Sequence, residues 1–163
     1  MQYHSRNPVW SLASLAGSVG ASGEVDATTA TWFDTFCTGV AVLGELGGGD
    51  GPGSPQELGN QLTTVGTTFT DTAAKLAALP PPTFEGGEEV AQQLVTNMQA
   101  GGPVFIEYGQ KAALLDPTDQ AAGEQFQADF EAAVADLGIT DFEPTPAAKA
   151  AVREVPSCQV LGS

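Results

Sequence analysis

Basic residues are the scarcest class in this sequence. Three lysines and two arginines stand against 20 carboxylates in 163 residues, a formal charge of −15. So few cations cannot neutralise a run of phosphates, which excludes nucleic acid as a partner. Nor can they form the cluster of about four to eight basic residues that docks a protein on an anionic membrane surface. Histidine is almost missing too: the single His4 leaves no imidazole for a catalytic triad, and the inward Glu-x-x-His pairs of a di-iron bundle are absent. Two cysteines without further ligands cannot make a structural zinc site, and no EF-hand loop occurs. No apolar run approaches the roughly 20 residues that span a bilayer, so no transmembrane segment is expected. These absences predict a protein with no metal, no cofactor and no enzymatic activity.

The one catalytic alternative rests on carboxylates. Asp34, Asp71 and Glu107, with Glu45 and Asp129 as further candidates, would have to converge in one cleft and raise at least one pKa. Their polar neighbours read instead as solvated helix faces.

What is present is a domain-sized core with generous loops. Apolar residues make up 42% of the chain, alongside 20 glycines and 11 prolines. A chain of this length buries roughly 70% of its unfolded surface, enough for one domain without metal support. Apolar spacing is helical almost throughout, and no stretch alternates with the period of two that a sheet requires.

The first helix is expected from Asp26, its N-cap, to Leu46, with Trp32, Phe33, Phe36, Cys37, Val40 and Leu43 on one face. It stops at Gly47-Gly48-Gly49-Asp50-Gly51-Pro52-Gly53. That run lacks the Gly-Lys-Ser/Thr ending and the preceding strand of a phosphate loop, and reads as a connector. Ser54-Pro55-Gln56-Glu57 then places a hydroxyl N-cap, a proline at N1 and a glutamate at N3, the marks of a capping box. Leu58, Leu62, Val65, Phe69, Thr72, Leu76 and Leu79 follow at alternating spacings of four and three, a heptad-like seam suited to bundle packing. The threonines beside it lower helix propensity, so packing must hold this helix. Pro80-Pro81-Pro82 ends it.

A third helix starts near Glu85, with Val90, Leu94 and Met98 inward, and is expected to break or kink at Gly101-Gly102-Pro103. Phe105, Tyr108, Ala112 and Leu115 resume the period. Asp116-Pro117 opens a fourth helix with Phe126, Phe130, Val134 and Leu137 inward, closed by Gly138. A short last helix follows Thr145-Pro146. The fold class is therefore all-α: a four-helix-bundle-like domain over residues 23–163, up-down-up-down, with a kinked third helix and a short C-terminal one. The kink supplies a candidate ligand pocket, in which Met98 and Phe105 line an apolar cavity and Glu107 and Tyr108 serve as polar anchors.

Residues 1–22 read differently, as an N-terminal extension or an export-signal-like segment. No acid precedes Glu24, and Val9 to Ala16 are small or apolar. Leu15-Ala16-Gly17 followed by Ser18 resembles the Leu-Ala-Gly-Cys box of bacterial lipoproteins, with a hydroxyl where the lipidated thiol belongs. Together with the Ala/Gly/Thr/Val-rich, Lys-poor composition, these residues are similar to the small exported lipoproteins of high-GC actinobacteria. The resemblance spans four residues and implies an extracytoplasmic location, secreted or in the cell envelope. Ser18 cannot form the thioether, so the resemblance implies no lipid on this chain. The plainer alternative is a segment that docks Trp10, Leu12 and Leu15 on the body.

Cys37 and Cys158 are an even pair in a chain of exported character, which predicts a disulfide stapling the tail to the first helix. Two unpaired buried thiols in a cytosolic protein are the alternative. The leading functional expectation is a non-enzymatic accessory or scaffolding module recognising another envelope protein or complex, with peripheral membrane association through the N-terminal segment. The second is a carrier binding a small apolar ligand between helices near residues 98–112.

Overall fold

The computed structural model describes residues 25–47, 52–138 and 143–160. The lipoprotein-like stretch with Ser18, His4, and residues 48–51 of the glycine-rich connector lie outside them. The described residues are all-α, with no strand among them: α1 (Ala27–Val40), α2 (Val42–Gly47), α3 (Pro55–Ala78), α4 (Gly87–Ala113), α5 (Gln120–Asp136), α6 (Pro146–Glu154) and α7 (Pro156–Gln159).

Local capping chemistry sets most of these boundaries. Asp26 caps α1, accepting from the Thr28 and Thr29 amides at 3.0 and 3.1 Å. Ser54 Oγ accepts from Glu57 N at 3.2 Å, while Glu57 reaches back one residue further than a capping box requires, to Gly53 N at 2.9 Å. Thr145 caps α6 through Ala148 N. Two boundaries differ from the sequence expectation. The first helix is interrupted at Ala41, because Gly44 N donates to the Ala41 carbonyl in a tight three-residue turn. The N-cap of α5 is Asp119, since Asp116 spends its carboxylate on the Thr118 amide and hydroxyl.

The four long helices are not equivalent members of a bundle. α3 and α4 form an antiparallel pair with their backbones nearly touching. A Cβ placed on Gly66 would sit 2.5 Å from the Gly102 carbonyl oxygen, and one on Gly59 would sit 2.6 Å from that of Gly109. The glycines are seven residues apart on both helices, so they stay on the facing sides. Thr63 and Thr70 border this contact and turn their hydroxyls back onto the Gly59 and Gly66 carbonyls at 2.8 and 3.0 Å. Their polar atoms are thereby satisfied within α3.

This packing also overrides the expected break. α4 runs through Pro103 without interruption. Gly101 and Gly102 are buried, whereas Pro103 and Gln99, whose carbonyl loses its helical donor, are exposed to water.

α1 lies antiparallel to α3, with Gly39 closely packed against the Thr72 side chain. Trp32, Phe33 and Cys37 are buried there, and Trp32 meets Phe33 edge-on at 5.2 Å. At the far end Asp26 accepts a 2.5 Å hydrogen bond from Thr83 Oγ1 and a 2.7 Å bond from Thr29 Oγ1. These donors, Thr83 foremost, lower the Asp26 carboxyl from an ordinary 3.8 to about 2. A folded-state pKa below the unfolded one contributes stability that is present above 3.8 and lost as pH falls through about 2. Replacing Asp26→Asn is therefore expected to lower the melting temperature near neutrality, with the difference from wild type shrinking across that acid window. A constant difference down to the acid limit would count against this tie.

The C-terminal α6–α7 pair closes on α1. Cys37 and Cys158 form a disulfide, Cα atoms 5.0 Å apart and 121 residues apart in sequence, with Ala148, Ala151 and Val155 buried alongside. α5 is attached differently, having no fully buried residue. It holds through Phe130, 5.6 Å from Phe105 and 5.3 Å from Tyr108, and through the Tyr108 hydroxyl, which donates to the Asp129 carbonyl at 3.0 Å. Local opening follows buried contact. The α5 amides are expected to exchange at least about 100-fold faster than those of Val65 to Leu76 in native-state hydrogen exchange; equal protection would show α5 to be part of the cooperative core.

Candidate functional site

Among the described residues the helices leave one sizeable apolar cavity, about 420 Å³ and partly open to solvent. α1 supplies Phe33, Phe36 and Val40, and α2 supplies Leu43. Phe69 comes from α3; Val90, Leu94, Asn97, Met98 and Phe105 come from α4. Val134 of α5, with Pro144, Ala148 and Val152 from around α6, completes the lining. Four of the eight phenylalanines in the chain are thus gathered around one space. Its volume falls within the roughly 300–1,000 Å³ of small-molecule sites.

Among the described residues the lining contains no charged side chain, and Asn97 is its one polar member. Asn97 is half-buried, and its amide makes no hydrogen bond to another described residue. An uncommitted donor and acceptor at an apolar wall can orient a neutral polar group.

Of the pocket residues expected from sequence, the structure brings together Met98 and Phe105. Glu107 and Tyr108 do not line this cavity, and for Glu107 helix geometry gives the reason. At about 100° per residue, Glu107 lies about 200° round α4 from Phe105. Only a broken helix could have turned both into one space, and α4 is continuous. Glu107 is exposed and pairs with Lys111 at 2.7 Å. That hydrogen-bonded partner raises the Lys111 pKa, and the ammonium sits 4.5 Å over the Tyr108 ring. Tyr108 meanwhile packs on Phe126 and Phe130. It anchors α5 and so bounds the site indirectly.

The carboxylate candidates Asp34, Glu45, Asp71, Glu107 and Asp129 are all exposed. Among the described residues no group of three or more His, Cys, Asp or Glu could hold a metal ion, and no helix is long and apolar enough to cross a membrane. The wall made by Pro144, Ala148 and Val152 escaped the sequence reading, as did Asn97. The spacing of Ala148, Ala151 and Val152 does mark an inward face on α6, but nothing local says which helices it meets. Compared with known proteins, the chain matches no family model, no curated protein and no solved structure.

Proposed function

We propose that this domain is a non-enzymatic binding protein for a small apolar ligand, held between α1, α4, α5 and α6. The observation that carries this reading is the cavity of about 420 Å³ with four phenylalanines and no charge among the described residues of its wall. An apolar surface left open to water is unfavourable at about 25 cal/mol per Å², and its concave shape suits an enclosed ligand better than a flat partner surface. The loosely attached α5 gives such a ligand a way in. The buried Cys37–Cys158 bridge supports an oxidising compartment, and with it export, because cytosolic thiols are kept reduced.

The test is titration with N-phenylnaphthylamine, a neutral dye that brightens in apolar surroundings. The wild-type protein is expected to bind it at one site. Val152→Trp, which fills the cavity from α6, should abolish binding while leaving the melting temperature within about 3 °C, equivalent to about 1 kcal/mol for a domain of this size. A dye signal that survives the filled cavity would place the binding elsewhere and overturn the reading.

A further inference from the structure

We infer that the ligand class is an uncharged single-chain lipid bearing a hydroxyl or ester, rather than a fatty acid or a phospholipid; this rests on the apolar-ligand reading above. The first argument is shape. On α4 the lining runs from Val90 to Phe105, 15 residue steps or about 22 Å at 1.5 Å each. α1 is antiparallel to α3, and α3 to α4, so α1 and α4 run in the same direction, with α1 facing the space from Phe33 to Val40. The volume of about 420 Å³ lies near the small end of the roughly 300–1,000 Å³ of small-molecule sites, room for a lipid of one chain rather than two.

The second argument is charge. A carboxylate or phosphate drawn into an apolar wall needs a cation or several donors, without which its desolvation is uncompensated. Among the described residues the lining has no cation. The two cations nearest in sequence to it, Lys149 and Arg153 on α6, are exposed and belong to no part of the wall. The protein's charge of −15 repels an anion from further out. Asn97, by contrast, offers one acceptor and two donors that no described residue uses. That complement fits an alcohol or an ester carbonyl.

The experiment is competition against bound N-phenylnaphthylamine by dodecanol, methyl dodecanoate and dodecanoate at pH 8, the first two below their solubility limits and the third below its micelle-forming concentration. The alcohol and ester are expected to displace the dye at concentrations at least about ten-fold lower than the carboxylate. Asn97→Leu should weaken dodecanol about ten-fold, measured against that variant's own affinity for the dye, as loss of one buried hydrogen bond implies. Dodecanoate competing as well as dodecanol would overturn the ligand class while dye binding stood. Unchanged dodecanol affinity in Asn97→Leu would overturn the role of the amide. Failure of the dye itself to bind wild-type protein would instead remove the underlying reading of the cavity.

Discussion

Reducing the Cys37–Cys158 bridge is expected to lower the melting temperature by about 15 °C. The bond closes a loop of 121 residues, and in the chain-entropy model a loop near that length restricts the unfolded chain by about 5 kcal/mol. For a domain of this size, about 3 °C accompanies each kcal/mol. The effect should be largest where the bridge is the principal tie. α6 and α7 contribute few buried side chains, Ala148, Ala151, Val155 and Cys158, so their docking on α1 depends on it. Because Ala148 and Val152 wall the cavity, the reduced protein should also bind the dye more weakly. Thermal denaturation with and without reductant, with intact mass recording the gain of two hydrogens, checks the prediction. A shift under about 5 °C would mean that packing alone holds the tail.

The second large effect is a substitution that helix propensity alone would call stabilising. Alanine is favoured over glycine in a helix by about 1 kcal/mol, and α3, α4 and α5 all contain glycines. At Gly123 on α5 an added Cβ meets nothing within 4 Å. Gly123→Ala is therefore expected to gain up to about 1 kcal/mol. At Gly66 the same atom would lie 2.5 Å from the Gly102 carbonyl oxygen and 2.9 Å from the Ile106 nitrogen. Both are backbone atoms, so one whole helix must shift. Gly66→Ala is expected to lose about 2–3 kcal/mol despite its propensity advantage, in the range of overpacked cores. Urea midpoints at unchanged slope measure both variants. Two substitutions of the same sign would show that the α3–α4 contact is not the constraint described.

What could be read in advance divides by the range of the interaction. Asp26, Ser54 and Thr145 were legible as caps because a cap bonds only to the next few amides. The same local reading misplaced the start of α5, since Asp116 and Asp119 both suit the role, and the choice turns on the Thr118 hydroxyl. Gly101-Gly102-Pro103 is a helix breaker by every local rule, and it fails to break α4 because those glycines are what let α3 approach. Its register with Gly59 and Gly66, seven residues apart like Gly102 and Gly109, was present in the sequence but acquires meaning only once the helices are known to pair. The disulfide was legible because two cysteines allow one pairing. The cavity was legible only in part: periodicity turns Met98 and Phe105 inward, but whether inward side chains fill the space between helices is a matter of volume. That depends on α6, 40 residues and more beyond them.

The bridge between α1 and α7 also decides how this domain responds to being pulled. A force applied between a point ahead of α1 and one beyond α7 crosses the molecule through a single sulfur–sulfur bond. Only the turns of α1 before Cys37 lie on the loaded path. Helices α2 to α6 sit inside the closed covalent ring and bear no tension. In a domain strung in that way tension acts first on the turns of α1 that carry Phe33 and Phe36, while the cavity walls supplied by α2 to α6 lie off the loaded path; the reduced chain would instead carry the load from end to end.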